Sequence, residues 1–166
     1  MRAAEKATHP CTKIEMKEFF SHSPEETKTL AAEIAKLLTG GEVIGLVGEL
    51  GTGKTCFVKG LAQGLGIAEE EVYSPSFTLI AEHYQGRLPL FHIDLYRLGG
   101  RELGELGLEE YLYGRGVAVV EWFDYLPAGI VEEYLRVTLL CGADEERRIV
   151  LEAVGEWYHW IIETLR

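Results

Sequence analysis

The run Gly48-Glu49-Leu50-Gly51-Thr52-Gly53-Lys54-Thr55 fits the spacing GxxxxGK[ST], a loop whose residue types suit the holding of a polyphosphate. Its glycines let the backbone turn N–H groups inward, Lys54 can reach the outer phosphates, and Thr55 offers a hydroxyl to Mg²⁺. The candidate nucleotide contacts are therefore Glu49, Leu50, Gly51, Thr52, Gly53, Lys54, Thr55 and the adjoining Cys56. No guanine-reading Asn-Lys-x-Asp sequence is present, so ATP with Mg²⁺ is the expected ligand. Such a loop also needs an acid at a neighbouring strand end, to order the metal or the attacking water. Asp94, after Phe91-His92-Ile93, and Glu121, after four apolar residues at 117–120, stand at such places. Lys54, Asp94 and Glu121 are the candidate catalytic residues; Thr55, Glu121 and Asp94 are the candidate metal ligands.

These residues need elements to carry them. Residues 43–47 read as a short buried strand before the loop, and Phe57, Val58, Leu61, Ala62 and Leu65 share one helical face after it. Upstream, residues 13–20 alternate in part and predict an opening strand, and Ser23-Pro24-Glu25-Glu26 has the form of a helix start with a capping serine. Gly40-Gly41 is the expected left-handed stop of that helix. Residues 77–84 and 88–95 suggest a hairpin turning at Gly86, which tolerates a positive φ. A second hairpin is expected from 134–140 and 148–154, a buried strand at 117–120, and a closing helix at 157–165. The fold class that follows is α/β, a three-layer P-loop NTPase-type fold with a mixed, mainly parallel sheet. Residues 1–12 read as a loose lead-in and 13–166 as one domain.

At 166 residues the chain can bury a core without metal or disulfide staples, and Cys11, Cys56 and Cys141 have no metal-site spacing. The 47% apolar and 26% charged composition, without a membrane-length apolar run or a secretory leader, predicts a cytoplasmic soluble protein. A formal charge of −11 argues against direct binding of tRNA or any other nucleic acid, since that affinity rests on Lys and Arg displacing counterions.

Three segments accompany the phosphate loop: Ser74-Pro75-Ser76-Phe77-Thr78-Leu79, His92-Ile93-Asp94-Leu95-Tyr96-Arg97-Leu98 and Glu121-Trp122. Together they resemble the TsaE family, also called YjeE, over residues 20–154. The resemblance implies the ATPase subunit of the machinery that forms threonylcarbamoyladenosine beside the tRNA anticodon, acting with the partner proteins TsaB and TsaD, which carry out the transfer. It implies that Asp94 is the Walker-B-like acid, that Glu121 contributes at the metal, and that residues 74–78 form a switch-like loop, with Ser76 where threonine is usual. Phe123-Asp124 follows Trp122 where the family often has proline and glutamate. Trp122 is a candidate to stack on adenine, against the plainer role of core filling. Thr27 is a candidate base contact by resemblance alone, and Arg147, in an acidic turn, is a weaker nucleotide contact than a solvated charge. His92 is as well suited to base chemistry as to packing. A small-molecule P-loop phosphotransferase is the competing class, but few residues remain for an acceptor pocket and no arginines cluster to grip an anionic acceptor.

Overall fold

The computed structural model describes residues 14–99 and 103–165. The expected lead-in at 1–12, Cys11 and the first residue of the expected opening strand lie outside them. Seven strands, β1 (Ile14–Ser21), β2 (Val43–Val47), β3 (Ile80–His83), β4 (Leu90–Asp94), β5 (Val117–Glu121), β6 (Tyr134–Cys141) and β7 (Arg147–Val154), form one sheet ordered β1-β7-β6-β2-β5-β4-β3. The central strands β6, β2, β5 and β4 pair in parallel, whereas β7 and β3 run against their neighbours. Because β1 opposes β7, it shares the direction of the central four, so the sheet is mixed but mainly parallel.

Helices α1 (Pro24–Leu37), α2 (Lys54–Leu65) and α4 (Glu156–Thr164) cover one face, burying Ile34, Phe57, Leu61 and Ile161 against Ile44, Leu46, Val119 and Leu151. The short α3 (Leu108–Leu112) covers the other face over Val43, Ile93, Ala118 and Val120. Residues of β2, β4 and β5 are almost all buried because helices lie on both sides of them, which explains their unbroken apolar runs. Among the described residues no helix is long and apolar enough to cross a membrane.

The start of α1 is as its sequence implies: Ser23 caps it, accepting at 3.1 Å from Glu26 N, and Pro24 opens the helix. The Glu26 carboxylate reaches back to His22 N, one residue earlier than a capping box requires. Three expectations are corrected. The stop of α1 is not Gly40-Gly41: the helix ends at Leu37 with Leu38 extended, and the two glycines, at φ 108 and 92, make the turn into β2. The first hairpin strand begins at Ile80 instead of 77, because the chain turns through residues 76–79 with Leu79 at φ 69. Gly86 is not among the positive-φ glycines. A side chain there is excluded by contact, since a Cβ would lie 2.5 Å from Leu65 O and 2.8 Å from Ile67 Cγ1.

Candidate functional site

The sheet register assembles the site. Leu46, one residue from the end of β2, pairs with Glu121, and Glu121 pairs with Asp94 across β5 and β4. The phosphate loop and both acids therefore lie along the carboxyl ends of three adjacent parallel strands, where the crevices of open α/β sheets form. Pairing in register also turns Asp94 and Glu121 toward the same face, the one under α2; both are buried.

The loop leads directly into α2. Gly53 sits in the left-handed region at φ 101, and no side chain caps the helix. The contrast with the serine-capped α1 is informative: the first-turn N–H groups of α2 and its positive dipole end point into the loop with no side-chain cap among the described residues. Lys54 Nζ donates to Gly48 O at 2.6 Å and Glu49 O at 2.9 Å and lies 4.3 Å from the centre of the Trp122 ring. Burial pushes the Lys54 pKa below its ordinary value, while the charges of Glu121, Asp94 and Glu49 oppose that shift.

A cleft of about 380 Å³ opens over this loop, lined by Lys54, Thr55, Ser74, Asp94, Glu121 and Trp122 among others. Thr55 Oγ1 donates to Glu121 Oε1 at 3.1 Å, and the other oxygen of Glu121 meets His92 Nε2 at 2.7 Å. Asp94 is held separately. Ser74 Oγ donates to its Oδ2 at 2.7 Å, Ser76 Oγ approaches the same oxygen at 3.5 Å, and Tyr96 N donates to Oδ1 at 3.0 Å. Lys54, Thr55, Asp94 and Glu121, scattered through the sequence, thus line one cleft. The hydroxyls of Ser74 and Ser76 are tied to the acid that the sequence placed at a strand end.

Trp122 adopts φ 59, an uncommon conformation for a bulky residue, and stacks on Tyr125 at 5.5 Å while lying 4.9 Å from Tyr96. It therefore belongs to the lining of this cleft, over Lys54. A second hollow of about 140 Å³ lies on the other side, lined by Ser23, Pro24, Thr27, Thr52, Gly53, Cys56, Glu145 and Arg147. Thr27 and Arg147 meet here. The Thr27 hydroxyl is buried against Ser21 Oγ at 2.7 Å, and Arg147 donates from Nε to Thr52 O at 3.1 Å and from Nη2 to Gly51 O at 3.4 Å. Arg147 is a brace on the phosphate loop and not the solvated charge that its acidic turn suggested. Cys56 lines both hollows, with Sγ toward Pro24 O at 3.5 Å.

Sequence reasoning missed Ser21, Tyr125 and Glu145. Only Ser21 carries a local signal, a small polar residue ending a strand just before a capped helix. A larger hollow of about 730 Å³ lies near Gly40 and Trp157. Among the described residues its lining includes Glu42, Glu132 and Glu133 but no Lys or Arg, and the Glu42 carboxylate is already engaged by Thr39 N, Gly40 N and Trp157 Nε1. It is unsuited to phosphate.

The comparisons agree with this geometry. The family model described as threonylcarbamoyl adenosine biosynthesis protein TsaE matches residues 21–149. A tRNA threonylcarbamoyladenosine biosynthesis protein TsaE of Bacillus subtilis is 44% identical over 143 residues, covering 86% of this chain and 89% of the relative. That of Treponema pallidum is 44% identical over 132 residues, covering 79% and 96%. The crystal structure of Bacillus subtilis YdiB superposes with a TM-score of 0.75 at 39% identity, covering 92% of this chain and 95% of that one.

Proposed function

Because the chain belongs to the TsaE family, whose members are threonylcarbamoyladenosine biosynthesis proteins, we propose that it is a Mg²⁺-dependent ATPase serving that tRNA modification in the cytoplasm. The observation that carries the reading is the uncapped, glycine-turned start of α2 with Lys54, Thr55 and two buried acids on one cleft. A polyphosphate fits there: the first-turn N–H groups supply donors, and the lysine ammonium can exchange two loop carbonyls for phosphate oxygens. The Thr55 hydroxyl and the Glu121 carboxylate would hold Mg²⁺, with Asp94 ordering the metal or the attacking water. Bound there, the ion would offset charge on the phosphates. The second hollow, beside Thr27 and Arg147, is the side on which we place the base.

Thr55→Ala deletes a metal ligand but leaves the backbone cradle. It should raise the Mg²⁺ concentration needed for half-maximal ATP binding by about tenfold while changing metal-free binding little. Calorimetric titration at several Mg²⁺ concentrations measures this. An unchanged requirement would remove Thr55 from the metal site.

We further propose that nucleotide state is passed to the threonylcarbamoyl transferase partners, TsaB and TsaD, through the 74–78 loop. What supports this is the outer surface of that loop. Phe77 is exposed, Arg97 lies across its ring at 3.8 Å and neither lines the cleft, while Ser74 on the same loop does and bonds Asp94. Isolated protein should hydrolyse ATP slowly and be accelerated by the purified partner complex, and Arg97→Ala should lower that acceleration by about tenfold with basal turnover little changed. Equal rates with and without partners would overturn the coupling; a full basal loss in the variant would move Arg97 into the active site.

A further inference from the structure

His92 is wholly buried on β4 beneath α2, and only one of its ring nitrogens has a partner. Nε2 meets Glu121 Oε2 at 2.7 Å, whereas Nδ1 meets no hydrogen-bond partner among the described residues. That asymmetry selects a protonation pattern. With the proton on Nε2, the ring donates to an ionised carboxylate and leaves Nδ1 as an unpaired acceptor. With the proton on Nδ1, a donor is stranded in the interior and Glu121 must itself carry a proton to fill the short contact. A doubly protonated ring strands the same donor. Buried N–H groups without acceptors are rare and costly, so the first arrangement is the stable one.

The consequence falls on Glu121. With Oε2 committed to the imidazole, Oε1 is left facing the Thr55 hydroxyl at 3.1 Å. We propose that His92 is a positioning residue for Glu121: its Nε2 donates to one carboxylate oxygen and fixes the group so that the other oxygen and the Thr55 hydroxyl present one joint site to Mg²⁺. The inference rests on the metal role given to Glu121 above. Hydrogen-bonded partners of ligating carboxylates act in this way, and their loss typically weakens metal binding by about 10- to 100-fold.

Two readouts test it. In nucleotide-free protein at neutral pH, ¹⁵N spectra of the histidine rings should show His92 protonated at Nε2 alone; a proton on Nδ1 overturns the proposal. In calorimetric titrations of ATP, His92→Phe keeps the ring volume without the donor and should raise the Mg²⁺ requirement by about 10- to 100-fold, leaving metal-free binding unchanged. His92→Gln, whose amide reaches the position of Nε2, should restore most of the wild-type requirement, and His92→Asn, whose amide stops at that of Nδ1, should not. Should the phenylalanine variant fail to fold, the glutamine–asparagine contrast carries the same test. Equal shifts in all variants, or none, overturn the proposal. Wild-type protein that binds no Mg²⁺-ATP at all would instead overturn the ATPase reading, while the ring spectra still decide the His92–Glu121 arrangement.

Discussion

Lys54→Ala is expected to lower ATP turnover by about 10²- to 10³-fold with the fold left in place, the scale seen when one preorganised donor is removed from a developing charge. Among the described residues the ammonium is the one cation on the cleft's lining. Its hydrogen bonds among the described residues are to loop carbonyls, Gly48 O and Glu49 O, so its removal breaks no hydrogen-bonded ion pair. Alanine is also a favourable first residue for α2, so the helix should persist. Glu121 and Asp94 lose a counter-charge, yet each keeps its own hydrogen bonds. Hydrolysis assays beside circular dichroism separate the two effects. A variant that retains the wild-type rate would show that this loop does not carry the reaction.

Gly60→Leu should have the largest effect on stability, about 3 kcal/mol, the upper part of the range for overpacking. Helices α1 and α2 cross so closely that a Cβ at Gly60 would lie 2.5 Å from Lys28 O and 2.6 Å from Lys28 Cα, both backbone atoms that no rotamer change can clear. Gly64, one turn further on, meets Ala32 O and Ala35 Cβ at 2.6 Å. It is part of the same contact. The helices must separate, exposing apolar surface around Ala31, Phe57 and Leu61. For a chain of this size the melting temperature should fall by about 6–12 °C, and scanning calorimetry reads it directly. A fall under about 2 °C would mean that the helices can slide apart freely.

What is legible in the sequence is what lies in consecutive residues. The loop from Gly48 to Thr55, the Ser23 cap and the buried strands declare themselves because their chemistry is local. Strand-end placement was enough to single out Asp94 and Glu121, but not their pairing with each other or with Leu46, which is a property of sheet register. Arg147 illustrates the limit most plainly. Its neighbours in sequence are acidic, whereas its Nε donates to an oxygen of Thr52, 95 residues away. Gly86 was legible as a glycine in a turn, but the reason for it, contact with the end of α2, arises only once the hairpin is docked. Trp122 was weighed against adenine, and only the corner after Glu121 shows that its ring faces Lys54.

The turn between β3 and β4 is anchored with unusual firmness. Arg87 donates through Nη1 and Nη2 to Leu38 O and Ala35 O at 2.9 Å each, and its backbone N donates to Leu65 O at 2.7 Å. The hairpin is consequently fixed at its turn, which is built into the carboxyl ends of α1 and α2. At its other end residues 74–79 are joined to Asp94 through Ser74, Ser76 and the carbonyl of Leu79, and Phe77 is joined to Arg97. Asp94 is also the register partner of Glu121 on β5. A pull on Asp94 would thus be felt on both sides of the strand end, by Glu121 and by the outer side of Phe77 and Arg97, while the turn held by Arg87 stays still.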